Sequence, residues 1–148
     1  MKYFSINELI ASDVAKKYKI DNTPTEEIKD NLKYLIENLL DPIREAYGKP
    51  IYISSGYRCP ALNNHKAIKG SKTSDHMKGF AADICSKNPA DNIKLLEIAK
   101  TMPMWDQIIN EKPYGTNNNP RWVHVSIRKA GNRKQVLLYK NGVYTKLM

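Results

Sequence analysis

Two histidines and one carboxylate stand in this chain at a spacing that suits a metal ion. His76 and Asp83 are seven positions apart with Gly79 between them, so the backbone can turn back and aim both side chains at one point. His124, inside Trp122-Val123-His124-Val125-Ser126, would complete a set of three. Zinc accepts imidazole nitrogen and carboxylate oxygen, and a catalytic zinc keeps its fourth position for water or substrate. Other divalent ions could occupy the same set. Hydrolysis on such an ion also needs a proton acceptor for water and a donor for the developing oxyanion. Glu111, closing the run Asp106 to Glu111, is the candidate base. Arg58, inside Ser55-Gly56-Tyr57-Arg58, is the candidate to polarise a carbonyl or hold a substrate carboxylate. Taken singly, an exposed loop glutamate and a surface ion pair explain these two residues as well.

These side chains need a frame. Phe80 to Ile84 alternates with period two, placing Phe80, Ala82 and Ile84 on one face and Ala81 with Asp83 on the other. Trp122 to Ile127 does the same, with Val123, Val125 and Ile127 opposite Trp122, His124 and Ser126. Both strand ligands therefore leave the apolar face. His76 lies in the Gly-, Ser- and Lys-rich stretch from Lys69 to Lys78, which reads as a loop. Ile51 to Ser54 reads as a strand that delivers Tyr57 and Arg58, and Asp106 to Glu111 as another. Val136 to Tyr139 and Val143 to Leu147 flank Asn141-Gly142, a hairpin signal.

The helical segments supply a core. Ser5 with Glu8 is a capping box, and Ser12 with Asp13 opens a second short turn. Thr23 is the expected N-cap of a long helix with Pro24 at its first position, and Ile28, Leu32, Leu35, Ile36, Leu39, Leu40 and Ile43 recur at helical spacing. Pro42 should kink or locally break that helix near Asp41, and Gly48 should end it. Pro60 to Lys66 offers a helical turn or two, and Pro89 to Lys100 a further helix closed by Met102-Pro103.

At 148 residues the chain suits one domain, 1–148, and can bury a core without disulfides or a structural metal. Cys59 and Cys85 form no CxxC pair; free thiols or a bond between them are both open. The formal charge of +9 and pI near 9.5 favour an anionic partner, or simply a solvated basic surface. No recognised nucleic-acid motif accompanies the lysines, so nucleic acid is not the expected partner. The first residues lack the apolar run of a signal peptide, and no stretch approaches a membrane span. Synthesis as a soluble, monomeric cytoplasmic protein is expected.

Three segments together resemble a known family. Ser55-Gly56-Tyr57-Arg58, Ser74-Asp75-His76-Met77-Lys78-Gly79-Phe80-Ala81-Ala82-Asp83 and Trp122-Val123-His124-Val125-Ser126 look like the M15 zinc peptidases, which include D-Ala-D-Ala carboxypeptidases and phage peptidoglycan endopeptidases. The resemblance implies an α+β fold in which helices flank a small antiparallel sheet, as in the hedgehog signalling domain, with the metal on the sheet's open side. It implies His76, Asp83 and His124 as zinc ligands, Ser74 beside the metal as a substrate contact, and Arg58 as the carbonyl-stabilising arginine. One position departs from the pattern. Many family members carry the catalytic glutamate three residues before the last histidine, where this chain has Arg121. The small branch resembles this chain in placing a glutamate after an aromatic-Asp-Gln strand, which keeps Glu111 as base and Asp75 as a weaker choice. His65 matches no ligand position.

The expected function is a zinc-dependent peptidase of the D-Ala-D-Ala carboxypeptidase or endopeptidase type, a phage lysin being one candidate, that acts on peptidoglycan stems or cross-links and reaches the anionic cell wall by delivery or lysis after synthesis. The alternative is a non-catalytic, metal-containing cell-wall binding module of the hedgehog-like fold, favoured by the missing ExxH. A basic nucleic-acid-binding protein is the third reading.

Overall fold

The computed structural model describes residues 1–147. Two short helices open the chain, α1 (Ile6–Ile10) and α2 (Asp13–Lys17), capped by Ser5 and Ser12 as expected, with the reciprocal Ser5/Glu8 box formed. The next helix starts later than its sequence suggests. Thr25, not Thr23, caps α3 (Glu26–Leu35), because Asp21 takes both the backbone N–H and the hydroxyl of Thr23. Pro24 consequently precedes the helix instead of opening it.

The disturbance expected at Pro42 takes the form of a local change of helix type just before it. A π-helical turn (Ile36–Leu40) joins α3 to α4 (Asp41–Tyr47), so the wider ring absorbs the missing N–H. The Asn38 amide donates to the Tyr34 carbonyl at 3.0 Å, supplying a bond inside the altered ladder. Gly48 then ends α4 in the left-handed conformation that its sequence position requires. Leu32, Leu35, Ile36, Leu39 and Ile43 are fully buried along this rod, each worth on the order of 2 kcal/mol in apolar burial.

The sheet has six strands in the order β1-β2-β4-β3-β5-β6: β1 (Ile51–Ser55), β2 (Ala81–Ser86), β3 (Gln107–Glu111), β4 (Trp122–Ser126), β5 (Gln135–Lys140) and β6 (Val143–Lys146). The α+β class is as expected. The sheet is antiparallel except where β5 lies parallel to β3. That exception follows from connectivity: β3 and β4 pair antiparallel, and the chain leaving β4 returns on the far side of β3. Asn141 and Gly142 both have positive φ, the conformation of the hairpin turn between β5 and β6.

One sheet face packs Ala82, Ile84, Ile108, Val123, Val125 and Val136 against the helices, including α6 (Asn92–Lys100). The other face carries Asp83, Ile109, Glu111, His124 and Leu137 into a cleft. A 3-10 turn (Asp75–Lys78) stands at its rim, and the short helix α5 (Pro60–Asn63) packs against that turn. Both cysteines are free. No helix among the described residues is long and apolar enough to cross a membrane.

Candidate active site

His76 reaches the cleft from the 3-10 turn, whose end at Gly79 has φ +77° and swings the chain into β2. Asp83 and His124 are direct cross-strand partners on β2 and β4. Sheet register therefore brings these two together, and the glycine turn folds the third over them. His76 Nε2 lies 3.4 Å and His124 Nδ1 3.1 Å from the same oxygen, Asp83 Oδ1. One ligand-type atom from each residue lies within 4.8 Å of the other two. Neighbouring ligands of a tetrahedral zinc with bonds near 2.0–2.1 Å sit about 3.3 Å apart, so the donor set has the span for such an ion.

The protonation states favour the same use. His76 Nδ1 is 2.7 Å from the Gly56 carbonyl, which can only accept, so the proton sits on Nδ1 and the Nε2 lone pair faces Asp83. Burial holds His76 below its ordinary pKa, keeping the ring neutral. Burial opposes ionisation of Asp83, but electrostatic attraction and hydrogen bonds from the His76 and His124 rings outweigh it and hold the carboxyl below its usual range. A carboxylate flanked by imidazole nitrogens is the charge state a divalent ion requires.

Glu111 occupies the same cleft. Its neighbour two residues back, Ile109, pairs with His124, which sets Glu111 on the diagonal, roughly 7–8 Å from His124 along the sheet. Burial, then the negative charge of Asp83, push its pKa up to about 7, against the pull of His124, Lys112 and Arg58. A carboxyl poised there can both take and return a proton near neutrality. Arg121, at the position of the expected ExxH glutamate, lies outside this cleft, with its guanidinium 4.9 Å from the Tyr114 ring centre. Asp75 lines the rim, where Lys78 Nζ lies 3.9 Å from its carboxylate.

Arg58 is half-buried and lines the same cleft. Its backbone N–H donates to the His76 carbonyl at 3.1 Å, and Nη2 donates to Ser74 Oγ at 3.4 Å. Ser74 Oγ also accepts the His76 N–H, so one hydroxyl ties the arginine to the turn that carries the histidine. Arg58 Nε is buried without an acceptor in the protein. His65 stands apart, stacked on Tyr18 with ring centres 4.3 Å apart.

The sequence profile of the Peptidase M15 family matches residues 2–126, most of the chain. The chain belongs to the M15 peptidases. Its activity is therefore that of a peptidase, in a family whose members depend on a metal. A search of curated proteins gave no match. In this M15 peptidase the family match stops at the end of β4, yet the cleft of about 600 Å³ continues onto Arg128, Arg133, Leu137, Tyr139 and Tyr144. Residue spacing gave no sign of these five, because β5 reaches the site only through its non-local pairing with β3. The role of the Gly56 carbonyl was equally invisible, since no side chain marks it.

Proposed function

We propose that this M15 peptidase is a zinc enzyme that hydrolyses a peptide bond in peptidoglycan stems or cross-links, one involving D-alanine. The observation that carries the reading is the convergence of His76, Asp83 and His124 beside a buried glutamate whose pKa is raised to about 7. His76 Nε2, Asp83 and His124 Nδ1 would hold the ion. Zinc, when bound, supplies the Lewis acidity that polarises a carbonyl and makes water acidic. Glu111 takes the proton of the attacking water and returns it to the leaving amine. The Arg58 guanidinium donates to the oxygen on which charge develops, and its unsatisfied Nε is a donor already desolvated for that purpose. Ser74 holds Arg58 in place and meets the substrate beside it. The choice of peptidoglycan rests on the resemblance to D-Ala-D-Ala peptidases and on the net charge of +9, suited to an anionic wall.

Digestion of purified peptidoglycan tests this reading: activity should vanish on chelation and return with zinc. Release of no wall peptide by zinc-loaded protein would overturn it.

The support behind His76 makes a separate prediction. A Cβ at Gly56 would lie 2.1 Å from the Leu9 carbonyl oxygen, so the backbone must move and carry its own carbonyl away from His76 Nδ1. Gly56→Ala should weaken zinc binding roughly 10- to 100-fold, read by competition with a chromogenic chelator. Unchanged affinity would remove the Gly56 carbonyl from the ligand's support.

A further inference from the structure

The part of the chain beyond the family match builds one end of the cleft around a buried carboxylate. Asp106, fully buried just before β3, accepts Arg133 through its backbone N–H at 2.9 Å, its Nε at 3.1 Å and its Nη2 at 2.7 Å. Those contacts engage both carboxylate oxygens. Arg128 adds Nε at 3.2 Å to the same group. Arg133 alone therefore neutralises Asp106, and the second guanidinium leaves a surplus positive charge at this point. Both arginine side chains remain about two-fifths exposed, at 40% and 42%, and both line the cleft.

Their loop is fixed independently of any ligand. Asn132 accepts the Arg128 N–H and donates to the Arg128 carbonyl, each at 2.8 Å, and Gln135 N–H donates to the Asp106 carbonyl at 2.9 Å. The guanidinium pair is thus preorganised, with N–H donors left over after Asp106 is satisfied. Between it and the ligand set lies Gln107, whose amide donates to Gln135 at 2.6 Å, one step along the strands from the row of Asp83, His124, Ile109 and Leu137. Asp75, with Lys78 beside it, is the other carboxylate whose charge acts on Arg133. At the other end of β3 stand Glu111 and the Tyr139–Tyr144 ring pair, with Lys112 over Trp122. The cleft is therefore asymmetric along the strands.

We propose that Arg128 and Arg133, held on Asp106, form a carboxylate-recognition subsite that orients a peptide substrate in the cleft. The substrate class is a peptide bearing a carboxylate, at its C-terminus or on an internal residue, that runs along the strands past Gln107 from the scissile bond. Planar guanidinium groups match a carboxylate with paired hydrogen bonds, which a lysine cannot reproduce. The inference rests on the peptidase reading above and narrows its substrate.

The test compares three stem peptides ending in D-Ala-D-Ala on the zinc-loaded protein: the free acid, its C-terminal carboxamide, and the peptide with its internal carboxylate amidated. One amidation should lower kcat/KM roughly 10- to 100-fold, mainly through KM, and which one does so identifies the carboxylate's source. Arg128→Ala, which leaves Asp106 bound to Arg133, should shrink that acid-to-amide preference about tenfold, with Arg128→Lys recovering only part of it. Equal cleavage of acid and both amides by the wild type, or an equal penalty on all three in Arg128→Ala, overturns the subsite. Calorimetric binding of the same peptides reads the preference without turnover. An inert protein that still prefers the acid would defeat the peptidase reading and keep the arginine pair; one that binds all three alike would defeat the subsite.

Discussion

Replacing Glu111 with glutamine should leave zinc bound and lower kcat by roughly 10²- to 10⁴-fold, the usual contribution of a positioned proton acceptor. The substitution keeps the shape of the side chain and its place on β3, diagonal to His124, so the ligand set is undisturbed. Only the proton-accepting oxygen is lost. The pH dependence carries a second signature. Burial and Asp83 raise the Glu111 pKa to about 7, so the neutral, unreactive form grows as pH falls through that value. A bound dication favours the carboxylate and moves the limb downward. Wild-type kcat/KM should therefore fall on the acid side at or below about pH 7, and the residual activity of Glu111→Gln should lack that limb. Steady-state rates from acid to neutral pH, with zinc content measured in parallel, read both effects. Wild-type turnover in the glutamine variant would mean that the proton moves by another route.

Asp83→Asn should cost the protein its metal. Asparagine is nearly isosteric and keeps one carbonyl oxygen, but it removes the only negative charge among the three ligand-type residues. Both histidine nitrogens now converge on Asp83 Oδ1, at 3.1 and 3.4 Å, so the lost charge is the centre of the set. Zinc affinity should fall beyond the roughly 100-fold reached by outer-shell changes, and peptidase activity should disappear with it. Equilibrium dialysis separates this from unfolding, because an intact variant retains its far-ultraviolet circular dichroism. Undiminished zinc binding would remove Asp83 from the centre.

Much of the frame was legible because it follows from local patterning. Alternation in Phe80–Ile84 and Trp122–Ile127 put Asp83 and His124 opposite the core, where the sheet indeed presents them to the cleft. Gly79 was read as the turn before Asp83, and its positive φ makes that turn. Competition and long-range pairing were not legible. Thr23 and Thr25 offer the same hydroxyl, and only the capture of Thr23 by Asp21 decides between them. Pro42 carries a clear helix-breaking signal, which the π-helical turn absorbs. The run Gln107-Ile108-Ile109-Asn110-Glu111 has apolar residues on both faces, so alternation alone could not aim Glu111; its pairing with β4 does. Arg128 and Arg133 have no local partner in the sequence, because the carboxylate that gathers them, Asp106, lies more than twenty positions away.

The most direct measurement is anomalous diffraction at the zinc absorption edge from crystals of the zinc-loaded protein. One strong peak is expected about 2.0–2.2 Å from His76 Nε2, an Asp83 carboxylate oxygen and His124 Nδ1, in the cleft that Glu111 and Arg58 also line. A featureless map at that point, or a peak held by other residues, would contradict that expectation.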